Sequence, residues 1–184
     1  MSGVLIRNIR SYPFSPKEKV IFDTNIWMRL YGPYCFTKDN HFEYSEAFRN
    51  IRTNDTDILL NNIILSEFIN AFSRDIWKHH PHKARWEEFK DFRNSPEFEE
   101  VAEEIGLWMK EIKEMVSFCD LKFDKEIAEG YIDKYLCGSF DFNDIIIAEF
   151  SKLIRATLIT HDFDFRGCED ITIVTAYKKL LNNK

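Results

Sequence analysis

At 184 residues the chain has the length of one domain, or one domain with an insertion, and can bury a core without disulfide or metal staples. Its 45% hydrophobic and 30% charged residues exclude a disordered tail and a cysteine-stapled scaffold. The 31 Asp and Glu outnumber the 25 Lys and Arg, for a net charge of −6, which excludes a protein that coats nucleic acid through overall basicity; phosphate contacts must come from a local patch or through cations.

The opening MSGVLIRNIRSYPF has only three apolar residues together before Arg7, too few for the apolar region of a signal peptide, and nowhere do about 18 apolar residues run together. A cytoplasmic protein without membrane contact is expected. Val4 to Ile6 is ambiguous between a short strand and an irregular lead-in with Pro13 and Pro16. Val20, Ile21 and Phe22 then form a buried-strand run that stops at Asp23-Thr-Asn25, residues that open helices. Tyr44, Ala47, Phe48 and Ile51 have the i, i+3, i+4, i+7 spacing of an amphipathic helix.

Ile58, Leu59 and Leu60 make a second strand, after which Asn61 or Asn62 can cap a helix with Leu65, Phe68, Ile69, Phe72 and Ile76 on its apolar face. Ser95-Pro96 followed by Glu97, Glu99 and Glu100 predicts a helix start, and Phe98, Val101, Ala102, Ile105, Met109, Ile112 and Val116 trace its stripe. A third strand is expected around 121–123, before a helix carrying Ile127, Tyr131, Ile132 and Tyr135. Asp141 is positioned to cap the next helix, whose apolar face carries Ile146, Phe150 and Leu153. Strands over 157–160 and 171–174 and a last helical turn through Tyr177, Leu180 and Leu181 complete the chain. The four cysteines form no CxxC pair, so reduced, mostly buried thiols are expected; Trp27 and Trp108 read as core.

Five short, non-alternating apolar runs separated mostly by helices predict an α/β three-layer sandwich: a five-stranded parallel sheet in the order 3-2-1-4-5, with 20–22 central and helices on both faces. Residues 1–184 read as one domain, with 80–118 a helical elaboration. In such sheets ligands bind beyond the carboxyl ends of the strands. Asp23 ends the first strand, Asp162 and Asp164 follow the fourth, Glu67 lies in the first turns after the second, and Asp141 and Asp144 open the helix before the fourth. Capping explains any one of these acids about half the time. It does not explain their conjunction. Carboxylates gathered at one sheet edge call for a cation; hard oxygen donors select Mg²⁺ or Mn²⁺, whose chemistry is phosphodiester hydrolysis. Without the cation at least one carboxyl should hold its proton to unusually high pH.

Val20-Ile-Phe-Asp-Thr-Asn-Ile-Trp-Met28, Leu65-Ser-Glu-Phe68, Asn143-Asp-Ile-Ile-Ile-Ala148 and Leu158-Ile-Thr-His-Asp-Phe-Asp-Phe165 resemble, in order and spacing, the four acidic motifs of PIN-domain nucleases, the fold of VapC-type toxins. The resemblance runs from about residue 19 to the C-terminus. It implies that Asp23, Glu67, Asp144 and Asp162 bind a divalent metal, Mg²⁺ or Mn²⁺, and carry catalysis, with Asn25, Thr160 and Asp164 supporting them. Asp141 and Asp144 both stay open as the direct ligand. The implied activity is metal-dependent RNA hydrolysis through a metal-activated water, leaving a 5′-phosphate and a 3′-hydroxyl. The implied setting is a toxin-antitoxin pair with a basic antitoxin as partner, and a homodimer as the common assembly of such toxins.

Two alternatives compete. Phe22-Asp-Thr-Asn25 and Asp162-Phe-Asp164 resemble the D-x-D start of haloacid dehalogenase phosphatases, but Asn25 stands where a second acid is required. A catalytically silent binding or scaffold protein would not need all four acids, and all four are present. Lys78, Lys83 and Arg85, beside Trp77 and Trp86, are candidates to contact an RNA backbone; a metal site from His79, His80 and His82 is disfavoured because adjacent helical residues point different ways.

Overall fold

The computed structural model describes residues 5–182 except 120, 122 and 139. Val4 and Lys122, which figure in the expectations above, lie outside the described residues.

Six strands form one sheet: β1 (Leu5–Asn8), β2 (Lys19–Phe22), β3 (Asp57–Leu60), β4 (Ser117–Phe118), β5 (Thr157–Ile159) and β6 (Thr172–Thr175). Their order is β1-β6-β5-β2-β3-β4, with every neighbouring pair parallel. This is the expected 3-2-1-4-5 order with one correction: a sixth strand, β1, is added beside β6. The helices are α1 (Thr24–Leu30), α2 (His41–Thr53), α3 (Asn62–His79), α4 (Phe89–Arg93), α5 (Glu97–Ile112), α6 (Lys125–Leu136), α7 (Phe142–Ile154) and α8 (Lys178–Leu181). They cover both faces of the sheet; α1 packs on α2 and α3, α3 on α5, and α6 on α7. Among the described residues no helix is long and apolar enough to cross a membrane.

The third expected strand is also displaced. Ser117–Phe118 pairs with Leu59 and Leu60, whereas Leu121 and Phe123 line an apolar hollow with Tyr131, Ile146 and Phe150. The 80–118 segment therefore carries α4 and α5 and ends in an edge strand. At the start of α5 the Ser95 hydroxyl donates back to the Phe92 carbonyl at 2.7 Å and does not cap the helix; Pro96 occupies the cap position. Asn61 and Asp141 cap as expected, accepting from the amides of Ile64 and Asn143, each at 2.9 Å.

Val20, Ile21, Phe22, Leu158, Ile159, Ile173 and Val174 are all essentially solvent-free, which is why these strands read as continuous apolar runs. Phe22, Trp27, Tyr31 and Phe48 interlock at ring separations of 5.3 to 6.3 Å, and Trp108 of α5 joins them through an edge contact with Tyr31 at 5.2 Å. Burial of each such ring contributes about 1.5–3 kcal/mol, enough to bind the elaboration firmly to the core. Trp86, Phe89, Phe92 and Phe98 extend the same core. The helix stripes reach less far inward than their spacing suggests: Leu153, Ile132 and Tyr135 are exposed. Among the described residues no disulfide forms, and of the four cysteines only Cys168 is buried.

The sheet reverses direction of growth between β2 and β5. From β2 the chain moves outward through β3 to β4, then returns to place β5 on the other side of β2 and moves outward again through β6. The loops leaving the two central strands diverge there and open a crevice at their carboxyl ends. Phe22 pairs with Ile159, so Asp23 and Thr160, the residues that follow them, face each other at its floor.

Candidate active site

Asp23 occupies the cap position of α1, yet its carboxylate makes no side-chain cap bond. Instead Oδ2 accepts from Thr160 Oγ1 at 2.6 Å and from Asn25 Nδ2. Thr160 Oγ1 in turn accepts from the Asp162 amide at 3.0 Å, while Asn25 Oδ1 accepts from the His161 amide at 2.9 Å. The turn carrying Asp162 is thus tied to the turn carrying Asp23. The Tyr44 hydroxyl reinforces it from beneath, within hydrogen-bond distance of the Thr160 carbonyl, His161 Nδ1 and Thr175 Oγ1 and accepting from the Ala176 amide. His161 also stacks on Tyr177 at 4.4 Å, and burial lowers its pKa to about 4, so the ring is neutral in this network.

Glu67, in the second turn of α3, receives Thr24 Oγ1 at 2.7 Å and Asn143 Nδ2 at 2.5 Å. These bonds join the first, second and third acidic segments. Asp144 projects into the same cleft from the first turn of α7, while the exposed Asp141 carboxylate is engaged by the Asn143 amide as a cap. Of the two candidates, Asp144 is therefore the one at the cleft. The Asp164 amide donates to Asp162 Oδ1 at 2.9 Å, but the Asp164 carboxylate is exposed, pairs with Arg166 at 3.4 Å and does not line the cleft.

Asp23, Glu67, Asp144 and Asp162 line one cleft of about 630 Å³. Burial raises the Asp23 pKa to about 6, against the bond from Thr160 and with help from the charges of Asp162 and Glu67. Burial likewise raises Asp144 to about 7, with Asp23, Asp162, Asp141 and Glu67 adding repulsion. Buried, crowded carboxyls that hold protons to neutrality would be stabilised in their ionised form by a cation among them. Among the described residues no three His, Cys, Asp or Glu side chains stand close enough to hold one ion directly. The donor set still fits a hard divalent cation, because Mg²⁺ is commonly held by one or two carboxylates and keeps several waters that span to the others.

The same cleft is walled by Arg29, Lys38, Arg74 and Lys78. Sequence reasoning missed Arg29, although its place four residues after Asn25, on the same helical face, was a usable signal. Its Nη1 donates to the Asn25 carbonyl at 2.9 Å and its Nε to the Asp39 carbonyl at 3.1 Å. Among the described residues no carboxylate forms an ion pair with it, and burial lowers its pKa. Asn143 was missed as well; it stands beside Asp144 and fixes Glu67. Of the three basic residues singled out from sequence, Lys78 lines the cleft. Lys83 sits 3.8 Å over the Trp77 ring and Arg85 pairs with Glu97 at 3.3 Å, and neither lines it. His79 and His80 diverge as expected, His79 toward Asp75 and Tyr34 and His80 toward Trp86 and Phe92, while the His82 amide donates to His80 Nδ1 at 3.1 Å.

A family model described as PIN domain matches residues 20–169, most of the chain and all four acidic segments. The chain is a PIN-domain protein. Among solved structures, this PIN-domain chain is similar to VapBC2 from Rickettsia felis, crystallised with a DNA fragment from its promoter, at 15% identity and a TM-score of 0.52, over 85% of this chain and 98% of that one. At that identity the likeness concerns the fold. No curated protein matches the chain.

Proposed function

We propose that this PIN domain is an endoribonuclease that depends on Mg²⁺ or Mn²⁺, with Asp23, Glu67, Asp144 and Asp162 as ligands and catalytic carboxylates. The observation that carries this reading is the convergence of these four acids, from four separate elements, on one cleft in which Asp23 and Asp144 are held well above the usual carboxylate range. A bound divalent cation supplies there what a phosphodiester needs, charge stabilisation on the phosphoryl group and an ionisable water. Thr160 and Asn25 fix the Asp23 carboxylate, Asn143 and Thr24 fix Glu67, and the amide of Asp164 orients Asp162. Arg29 offers the scissile phosphate a guanidinium already oriented by two carbonyls. Asn25 donates to Asp23 where a dehalogenase-type phosphatase requires a second acid, which speaks against that alternative.

The fold likeness to VapBC2 and the motif resemblance to VapC-type toxins support a toxin-antitoxin setting. In it, a basic antitoxin segment would meet the acidic cleft and neutralise it as the cation does. The whole chain acts as one cytoplasmic PIN-like unit, and a homodimer is the assembly the resemblance favours. Labelled single-stranded RNA, incubated with the protein in Mg²⁺, Mn²⁺ or EDTA beside matched single-stranded DNA, tests the reading. Cutting of RNA that EDTA stops and Asp162→Asn removes is the expected result; cutting that survives both overturns it.

A further inference from the structure

Arg74 stands on a ridge between two hollows. On one side it lines the acidic cleft; on the other it lines a second groove of about 400 Å³ with Trp77, Glu87, Glu88, Phe89, Lys90 and Arg93. The cleft wall formed by α3 is a single helical face, Glu67, Ala71, Arg74, Asp75 and Lys78, with its acid at the inner end and its cations further out. At the helical rise per residue, Arg74 lies about 10 Å beyond Glu67 along the axis. Asp75, the acid among the outer residues, is already engaged by Lys38 at 3.0 Å and His79 at 3.2 Å.

The groove beyond the ridge belongs to α4, in the elaboration. Among the described residues Lys90, Arg93 and Arg74 have no carboxylate in ion-pair contact. The Glu88 carboxylate accepts the capping-box bond of α4 and keeps its charge, so the lining sets Arg74, Lys90 and Arg93 against Glu87 and Glu88, a net positive charge of one. A groove whose lining is net positive runs against the net charge of −6, and among the described residues its three cations stand outside any ion pair. Arg74 lies 4.5 Å over the Phe89 ring, which holds the guanidinium plane in place for a phosphate or a base face.

We propose that the α4 groove is a second site for single-stranded RNA, in which Arg74, Lys90 and Arg93 hold phosphates of the strand after it leaves the acidic cleft. The inference rests on the ribonuclease reading for its choice of nucleic acid. Cations lining an open groove beside aromatic rings are the chemistry of single-strand binding, and the shared Arg74 makes the two hollows one track.

Fluorescence anisotropy in EDTA tests it without any cleavage, using fluorescein-labelled oligoribonucleotides of about 6 and about 20 nucleotides, one short enough to occupy the cleft alone and one long enough to reach the groove. Wild type should bind the longer RNA more tightly. In the Lys90→Glu, Arg93→Glu double variant the ratio of long to short affinity should fall toward one, and the salt dependence for the long RNA should weaken by roughly 1.4 in log-log slope, about 0.7 for each lost phosphate contact. Both side chains are exposed, and an unchanged melting temperature shows that the variant is folded. An unchanged affinity ratio in the folded variant overturns the proposal. So does a poly-glutamate peptide that binds wild type as tightly as the long RNA and loses affinity in the variant, which would assign the groove to an acidic protein. Metal-dependent cutting by wild type is read separately, so a failure of the ribonuclease reading shows there and leaves the groove decided by binding.

Discussion

Thr160 Oγ1 donates to Asp23 Oδ2 at 2.6 Å across the carboxyl ends of two adjacent parallel strands. Through one hydroxyl, the buried acid of the first motif is bonded to the residue that also positions the Asp162 amide. Thr160→Val should leave the carboxylate with Asn25 alone and the Asp162 amide unpaired, at a cost of about 1–3 kcal/mol. It should also raise the Asp23 pKa further, because the hydrogen bond from Thr160 favours the ionised form. The pH profile of RNA cutting should then move to higher pH, with Thr160→Ser restoring the wild-type profile. A profile that does not move in Thr160→Val would remove Thr160 from this role.

Asp23→Asn and Asp162→Asn should each abolish RNA cutting. In the metal-free protein Asp23→Asn should also raise the melting temperature at pH 7.5, because it deletes a charge that burial and its neighbours oppose. For a chain of this size about 2–4 °C is expected for each kcal/mol regained. A folded Asp23→Asn that cuts at the wild-type rate would refute the site.

The pH dependence of metal-free stability follows from the same two acids. Asp23 and Asp144 are raised in the folded protein to about 6 and about 7, above their unfolded values near 3.8. Protonation therefore favours the folded state: the contribution is complete below pH 4 and is lost as pH climbs through 6 and 7, an effect on the order of a few kcal/mol. Melting curves in EDTA at pH 5 and pH 8 should show the protein more stable at pH 5, because the two raised acids outweigh His161, whose lowered pKa opposes them below about pH 6.5. Saturating Mg²⁺ or Mn²⁺ should restore stability at pH 8, with a gain that grows with the logarithm of free metal, and at pH 6, where these carboxyls still hold protons, its binding should release them. Asp144→Ala or Glu67→Ala should shrink that gain, while changing His79, His80 and His82 to Ala should leave it intact. A melting temperature indifferent to metal would move the site away from these acids.

Arg29→Ala should weaken RNA binding roughly tenfold or more at low salt, the scale of one charge-assisted hydrogen bond lost. Arg29→Lys should recover only part of it, because an ammonium cannot keep two carbonyl bonds and present a planar fork as well. Equal affinity in wild type and Arg29→Ala, measured by anisotropy in EDTA, would show that the guanidinium does not meet the strand.

The interior strands and the acids at their ends were legible in sequence for one reason: residues such as Val20 to Phe22 are apolar on both faces, and the run stops where the chain must become polar. β4 left no such trace, because Ser117 and Phe118 are both exposed at the sheet edge, while the apolar residues just after them serve a hollow beside α6 and α7. β1 was obscured likewise, with Leu5 exposed and its strand at the sheet edge beside β6. Among the acids lining the cleft, position at strand ends and helix starts pointed to Asp23, Glu67 and Asp162 but could not separate Asp141 from Asp144, since both open the same helix. That difference lies in which carboxylate turns back to cap the amides. For Lys83 and Arg85 charge was visible in sequence, whereas their partners, Trp77 and Glu97, were not.

The insertion of β5 between β2 and β6 has a consequence for the order in which the molecule comes into being. A ribosome delivers Asp23 early and Thr160, Asp162 and the strand that carries them more than a hundred residues later, so the floor of the cleft has no second wall until most of the polypeptide has emerged. Contacts that distant in sequence also form slowly, since the intervening chain must be closed into a loop first. On the ribonuclease reading proposed above, a nascent chain cannot cut RNA until β5 has docked beside β2, so the activity arrives late in synthesis.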